Sequence, residues 1–270
     1  MARRAELTTT LRTLVFAILL ALAVLVAFSV SACGEDEAAE PGDVASHSPT
    51  GTWADLPQGG DPVELDPSEF TTDIDNPWWP MAPGSRWVYR ETDGEGGVQR
   101  VVVTVTEDTR TVQGVEARVV HDVVTEDGQL VEDTLDWYAQ DAEGNIWYLG
   151  EDTKEYENGE VVTTEGSWEA GVDGAQAGVI VPSDPRPGLT YRQEYLAGEA
   201  EDAATVLSLD ESVTVPFGSF ADVLMTRDFT PLDPGLVEHK FYARGVGPVL
   251  ALTVSGGADR EKLVRFTPGP

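Results

Sequence analysis

The one cysteine of this 270-residue chain, Cys33, is the residue whose position most clearly indicates a chemistry. It follows the apolar run Leu14–Val30, and the positively charged Arg3, Arg4 and Arg12 precede that run. A charged segment, an apolar segment and a few small residues, in this order, are typical of a secretory signal peptide. The thiol therefore stands just beyond the apolar segment of a predicted signal peptide.

The tetrapeptide Val30-Ser31-Ala32-Cys33 resembles the lipobox of bacterial lipoproteins. The resemblance implies that residues 1–32 are removed, that the Cys33 thiol receives a diacylglyceryl group, and that its amine is acylated, for example with palmitate. Each buried methylene contributes ~0.8 kcal/mol, so two or three chains hold a protein on a membrane almost permanently. We therefore expect a lipid-anchored protein at the extracytoplasmic face of the cell membrane. An uncleaved anchor helix and secretion without a lipid are the alternatives.

The other residues that could catalyse a reaction or bind a metal show no recognisable arrangement. His121 and His239 lie within predicted strands, and Asp122 points to the opposite face of the sheet from His121. Asp73–Asn76 lacks the glycine and the terminal glutamate of a calcium-binding loop, and Asp141–Asn145 is first a hairpin turn. The sequence therefore predicts a non-catalytic protein without a metal or cofactor. A hydrolase with an unrecognised site is the third hypothesis for its function.

Aromatic residues occur in consecutive pairs within the predicted strands. Consecutive residues of a strand point to opposite faces, so one ring of each pair is expected on the outer face. Outward rings on an acidic sheet could bind a sugar ring, a lipid tail or a cationic side chain, and cross-strand packing is the alternative. The proline-rich segment Asn76–Met81 is expected to cover an open end of the core. The tentative ligand-binding residues are Trp79, Trp137, Tyr138, Trp147 and Tyr148.

The charge of the chain excludes some partners. There are 48 acidic and 17 basic side chains, a net charge of −31, and residues 33–270 alone carry −33. Nucleic-acid binding depends on cationic contacts, which such a chain cannot supply in number. Cations, cationic proteins and neutral cell-wall glycans are the partners that the charge permits. With its only cysteine lipidated, the domain must be stabilised by a packed core rather than by disulfides.

Hydrophobic periodicity and turn residues predict an all-β antiparallel protein. The acidic, turn-rich residues 33–67 show no periodic apolar face and are expected to form a tether, with a single β domain at 68–270. From Trp87 onward the apolar period is two, and β-branched runs such as Val101–Thr106 are typical of strands. Pairs such as Asp127-Gly128 and Asn158-Gly159 punctuate these runs at hairpin spacing.

A comparison of the chain with itself predicts an internal repeat. At an offset of 104 residues, Pro83-Gly84 aligns with Pro187-Gly188, and Tyr138-Ala139 aligns with Tyr242-Ala243. A single five-stranded sheet would leave its apolar face and both edges uncovered, and a second copy would cover them. We expect two repeats, at about 81–150 and 185–255, that form a sandwich or a curved half-barrel. A single long meander is the alternative.

The layout of lipobox, acidic tether and antiparallel meander resembles secreted β-rich lipoproteins and, more distantly, the curved-sheet lipoprotein carriers of the LolA and LolB type. The resemblance concerns architecture, and only Cys33 is carried over from it. The leading hypothesis is a non-catalytic, lipid-anchored β domain that binds an apolar ligand or a cell-wall component on a concave sheet face. The alternative is an acidic interaction module that docks a cationic protein partner.

Overall fold

The computed structural model describes residues 56–270, so Cys33, the predicted signal peptide and the first part of the predicted tether lie outside the described residues. In the described part the regular elements are a 3-10 helix at Pro67–Glu69 and sixteen strands, which confirms the all-β prediction. No helix in residues 56–270 has the length and apolar character needed to cross a bilayer. The strands are β1 (Phe70–Thr71), β2 (Arg86–Thr92), β3 (Val98–Val112), β4 (Val115–Glu126), β5 (Gln129–Asp141), β6 (Ile146–Glu157), β7 (Glu160–Thr163), β8 (Trp168–Glu169), β9 (Gln176–Val181), β10 (Thr190–Arg192), β11 (Glu194–Tyr195), β12 (Ala203–Val215), β13 (Gly218–Phe229), β14 (Val237–Ala243), β15 (Gly247–Ser255) and β16 (Arg260–Thr267).

The strands form one antiparallel sheet that curves into a nearly closed barrel. Hydrogen bonds join them in the order β10-β12-β13-β14-β15-β16-β2-β3-β4-β5-β6-β9-β11, and β1, β7 and β8 pair alongside β5 and β6. The two ends of this path meet because only Gln193 separates β10 from β11 in the chain. Of the two predicted shapes, the curved sheet is therefore the one observed.

The predicted hairpin turns have the backbone that their residues favour. In the β4–β5 turn, Asp127 and Gly128 have φ angles of 51° and 82°, and in the β6–β7 turn, Asn158 and Gly159 have 53° and 82°. Tight hairpin turns need positive φ at both central positions, which Gly adopts freely and which Asn and Asp tolerate. These turns fix the register of the long strands and hence which side chains face inward.

The segment from β10 to β11 closes the barrel because a glycine allows its close approach. A Cβ atom on Gly178 of β9 would lie 2.3 Å from the carbonyl oxygen of Gln193. The buried Arg192 guanidinium then ties the seam to the start of the described chain. It donates hydrogen bonds to the carbonyl oxygens of Gly59 and Asp61, each at 2.7 Å, and of Ala177 at 2.6 Å.

The segment Asn76–Met81 covers one end of the barrel. Trp78, Trp79 and Met81 are all buried, and the segment contacts the hairpins that follow β5 and β14. The Asn76 Nδ2 amide donates to the carbonyl oxygen of Gly144, and the Gly245 amide donates to the carbonyl oxygen of Pro77. The two hairpins therefore lie at the same end, with the proline-rich segment between them.

The strands of the two expected repeats lie at corresponding positions. Shifted by 104 residues, β3, β4 and β5 overlap β12, β13 and β14. At the entry to each unit a glycine amide donates to the first long strand, Gly84 to Val105 of β3 and Gly188 to Val206 of β12, both at 2.8 Å. At the 104-residue offset the two glycines correspond, but the two acceptors differ by three positions. The internal duplication is compatible with this arrangement and stays a prediction.

Candidate functional site

The five aromatic residues predicted to bind a ligand lie on two faces of the sheet. Three of them, Trp79, Tyr138 and Tyr148, are buried inside the barrel, where the two tyrosine rings stack at 4.9 Å and Trp79 lies 5.7 Å from Tyr138. On the outer face, Arg110 lies over the buried Trp137 ring at 3.9 Å. Trp147 is half-buried.

Contacts with neighbouring segments cover the outer rings. The Trp147 indole packs edge-on against Phe70 of β1 and donates a 2.7 Å hydrogen bond to Asp141. Arg110, which covers Trp137, is itself paired with Glu169. Cross-strand and layer packing therefore accounts for these two residues, and ligand binding by the five stays a prediction.

A group of acidic side chains inside the barrel is the more distinctive feature of the molecule. In β2, Trp87, Tyr89 and Glu91 are buried, and they alternate with the more exposed Val88 and Arg90. Glu91 is thus in phase with two core residues and points inward. We call the following five buried carboxyls, with exposed fractions of 6% or less, the acidic cluster: Glu91, Asp122, Asp136, Glu151 and Glu261.

The strand register brings the members of the acidic cluster to the same interior surface. Residues that face each other across an antiparallel pair lie on one face of the sheet. Glu261 of β16 is opposite Glu91 of β2, and Glu151 of β6 is opposite Asp136 of β5. Asp122 of β4 is opposite Val103, which is buried in the core, and opposite Thr134 of β5. The cluster therefore spans consecutive strands of the barrel wall from β16 to β6.

Burial strongly favours the neutral form of these carboxyls. Loss of solvation is the main cause that raises the pKa of Glu91 to about 9 and that of Asp136 to about 8. Burial also raises the pKa values of Asp122, Glu151 and Glu261 well above the usual range, and the negative charges of neighbouring carboxylates raise them further. A low-dielectric interior disfavours an unpaired charge, so the cluster needs protons or cations for neutralisation.

Several polar atoms of this interior have no protein partner. Among the described residues, the unpartnered buried atoms include Oε2 of Glu91, Oδ1 of Asp122, Oε1 of Glu151 and Oε2 of Glu261. The hydroxyl of Tyr138, which lies two residues beyond Asp136 on the same face, is also unpartnered. Buried polar groups are nearly always hydrogen-bonded in native proteins, so this concentration distinguishes the acidic cluster from ordinary core.

A second group of buried charges, on the other half of the barrel, contains its own cation. The Lys240 ammonium of β14 lies 3.2 Å from Asp228 of β13, and both side chains are buried. Although burial lowers the pKa of Lys240, the charges of Asp228, Glu238 and Asp202 raise it above its ordinary value. We call these four residues the lysine cluster. Lys240 therefore offsets part of the negative charge of these three carboxyls from within the chain.

Sequence reasoning missed both clusters because it assigned the many carboxylates to the surface. The alternation of inward and outward residues along the strands did indicate that some carboxyls are buried. Asp122 is in phase with the apolar Val120 and Val124, as Glu91 is with Trp87 and Tyr89. An acidic residue at an inward position of a β-branched strand is unusual, since Asp and Glu are rarely buried.

His121, Asp75 and Asp141, which the sequence suggested as possible site residues, are held by contacts within the protein. His121 Nε2 lies 3.2 Å from Asp133 Oδ1, with about a third of each side chain exposed on the outer face. Asp75 accepts a hydrogen bond from Gln140, and Asp141 accepts three from Asn145 and Trp147. Within residues 56–270, no three His, Cys, Asp or Glu side chains are grouped so that they could hold a metal ion.

Comparisons with known proteins give low similarities. No protein-family model and no curated protein matches the chain. A candidate lipoprotein from Parabacteroides distasonis has 13% identity and a TM-score of 0.39, with 70% of this chain and 98% of that chain covered. A candidate exported protein with a YmcC-like fold from Bacteroides fragilis has 14% identity and a TM-score of 0.42, with 71% and 99% covered. The resemblance to carriers of the LolA and LolB type stays a prediction, and the functional reasoning rests on the interior of the barrel.

Proposed function

We propose that this protein is a non-catalytic binding domain, held at the extracytoplasmic face of the membrane by a lipid on Cys33, that takes a small polar ligand into its barrel. The acidic cluster with its unpartnered oxygen atoms is the observation that carries the proposal. Leaving a buried donor or acceptor without a partner costs ~1–3 kcal/mol, and more for a charged group. A ligand that supplies the missing partners recovers this free energy on binding.

The interior favours a polar ligand over the apolar one that the sequence suggests. The apolar part of the barrel is occupied by its own aromatic rings, such as Trp79, which packs between Tyr138 and Tyr242. The polar part has carboxyl and hydroxyl oxygens that the chain itself does not satisfy. Binding sites commonly combine an aromatic lining with a few convergent polar groups, and this interior has that combination.

The proposed anchor rests on the sequence Val30-Ser31-Ala32-Cys33. Mass spectrometry of the N-terminal peptide of the membrane-derived protein tests it. We expect a peptide that begins at Cys33 and carries a diacylglyceryl group. A peptide that retains residues 1–32, or an unmodified Cys33 thiol, would contradict the anchor without affecting the binding proposal.

Ligand binding is tested by thermal unfolding of the full chain in mild detergent with a panel of compounds. The panel contains sugars, amino acids, amines, divalent cations and oleate as the apolar arm. We expect at least one polar compound to raise the unfolding temperature, and the rise to disappear in Asp136→Asn. Stabilisation by oleate alone, or by no compound of the panel, would overturn the proposal.

The second candidate is an acidic module that docks a cationic protein, and the net charge of −31 favours it. Attraction between exposed charges is screened over a Debye length of ~8 Å at physiological salt. This candidate predicts co-purification of a basic protein that is lost at high salt and that is unaffected by Asp136→Asn, because Asp136 is inside the barrel.

A further inference from the structure

We infer that the acidic cluster binds a small organic polyamine, a flexible chain with two or more ammonium groups. The inference rests on the proposed function, since it names the class of ligand for the same interior. It follows from the charge of the cluster, from a comparison of the two halves of the barrel, and from the rings that accompany the carboxyls.

The acidic cluster offers unpartnered carboxyl oxygens to a cation from outside the chain. Glu91, Asp122, Asp136, Glu151 and Glu261 lie on five strands that are close in the sheet order. The ion pairs of Arg110, His121, Lys154, Arg186 and Lys240 join them to Glu169, Asp133, Asp152, Asp184 and Asp228, which lie outside the cluster. Of the cluster members, Glu261 also feels the positive charge of Lys240, which lowers the pKa of Glu261. When these carboxyls ionise, the single charge of Lys240 is too little for several negative charges that have lost their solvation, and a cation from outside the chain would compensate them.

The lysine cluster shows how this barrel neutralises buried carboxyls where it has a cation of its own. Lys240 follows Asp136 by 104 residues, the same offset that aligns Tyr242 with Tyr138. Both Lys240 and Asp136 point into the barrel, from the corresponding strands β14 and β5. One half thus has an ammonium group at the position where the other half has a further carboxyl. A bound ammonium group would give the acidic cluster a positive charge, as Lys240 gives one to the lysine cluster.

The accompanying side chains favour an organic ammonium group over a metal ion. The unpartnered oxygens belong to separate side chains on different strands, and no metal-binding group of three is formed among the described residues. The ring of Tyr89 lies in the same interior, as do the rings of Tyr138 and Tyr148, which stack on each other. Aromatic faces attract ammonium groups, and methylene linkers pack against them. Two or more charges on one ligand suit carboxyls that are spread over several strands.

Spermidine, a triamine, is the probe for this inference, and titration calorimetry and thermal unfolding of the full chain at pH 7.5 and 150 mM NaCl are the assays. We expect one bound molecule per chain and a rise in unfolding temperature of roughly 5–10 °C at a hundredfold excess over Kd. The isosteric variants Asp136→Asn and Glu151→Gln are expected to weaken binding by about tenfold or more each, because each removes a charge-assisted hydrogen bond. Glu160→Gln, an exposed position on β7, is the matched control and should bind like the native protein.

The pH dependence of binding provides a second readout. Burial favours the protonated form of these carboxyls, so binding of an ammonium group should release protons, and the affinity should increase with pH between pH 6 and pH 8.5. Far-UV circular dichroism at pH 5 checks that each variant is folded. The titratable groups that face or act on the cluster are Glu91 and Tyr89 of β2, Asp122 of β4, Glu132, Asp133, Asp136 and Tyr138 of β5, Glu151 and Tyr148 of β6, Glu194 of β11, Glu238 and Lys240 of β14, Asp259 just before β16, and Glu261 of β16.

The possible results separate this inference from the proposed function. Equal stabilisation by calcium or magnesium chloride, or an equal loss of spermidine binding in Glu160→Gln, would show metal binding or surface screening and would overturn the inference. A sugar or amino acid that binds natively but not to Asp136→Asn would overturn the inference and leave the proposed function intact. If neither spermidine nor any other compound of the panel binds, both are wrong.

Discussion

Replacement of Glu91 by glutamine is expected to stabilise the protein at neutral pH and to have little effect near pH 4.5. The amide has nearly the same shape as the carboxyl, but it cannot ionise. Burial raises the pKa of Glu91 from 4.5 to about 9 in the folded protein, and the unfolded chain keeps the ordinary value. Between these two pH values the unfolded chain has lost a proton that the folded protein still holds.

The sign and size of the effect follow from this difference. Because the unfolded state is favoured by proton release, the unfolding free energy of the native protein falls as the pH rises from about 4.5 towards 9. Each pH unit in this window is worth ~1.4 kcal/mol, so at pH 7 Glu91 destabilises the protein by ~3 kcal/mol relative to a group that does not titrate. Glu91→Gln removes this term and should raise the unfolding temperature by roughly 6–12 °C at pH 7.

Urea unfolding followed by tryptophan fluorescence, at intervals from pH 4.5 to pH 8.5, measures the effect. The difference between Glu91→Gln and the native protein should be small at pH 4.5 and should increase with pH. Glu160→Gln, on the exposed strand β7, should show no such increase. A constant difference across this range, or a variant that is less stable than the native protein at pH 8, would refute the reasoning that Glu91 is buried without a cation.

Three further substitutions test other parts of the structure. Gly178→Ala should prevent the close approach of Gln193 and lower the unfolding free energy, measured by urea titration, by on the order of 3 kcal/mol. The control is Gly159→Ala, at a solvent-exposed turn where a Cβ atom would have nothing within 4 Å, and it should lower the unfolding free energy by about 1 kcal/mol. Arg192→Gln removes the hydrogen bonds of the guanidinium to Gly59, Asp61 and Ala177. Amide hydrogen exchange should therefore become faster in residues 57–61, while β3 and β4 stay protected. Equal exchange rates in the variant and the native protein would contradict a stabilising role of Arg192 at the seam. Lys240→Met leaves the buried Asp228 without its cation and should reduce the unfolding free energy by about 3–5 kcal/mol at pH 7. A variant as stable as the native protein would contradict the ion pair.

Local signals in the sequence were enough to predict the fold class. Gly128 and Gly159 marked hairpin turns, and β-branched runs such as Val101–Thr106 marked strands, because turn chemistry and the period of two act over a few residues. The closure of the barrel could not be predicted in this way. It depends on β10 and β11, which have three and two residues, and on their contacts with chain segments far away in the sequence.

The candidate site was harder to predict than the fold. The sequence predicts ligand binding by Trp79, Trp137, Tyr138, Trp147 and Tyr148, and this stays a prediction. The ring contacts of Trp79, Tyr138 and Tyr148 inside the barrel depend on the strand register, which composition alone could not show. The acidic cluster was missed because 48 acidic residues make individual carboxylates uninformative. Only the register, which sets Glu91 against Glu261 across two strands, brings distant acidic residues onto one inner surface.

The bridge at Arg192 has a mechanical consequence. The described chain begins along the seam of the barrel, where the Arg192 amide also donates to the carbonyl oxygen of Pro57. A pulling force on the chain before Leu56 is therefore borne first by the hydrogen bonds of Pro57 and Gln58 to β10, and next by those of the Arg192 guanidinium to Gly59 and Asp61. Their rupture would release residues 57–61 from the seam at which β10 and β11 close the barrel. The seam of the barrel and the point of traction thus coincide, so tension from upstream would act on the wall beside β9 before it reached the long hairpins.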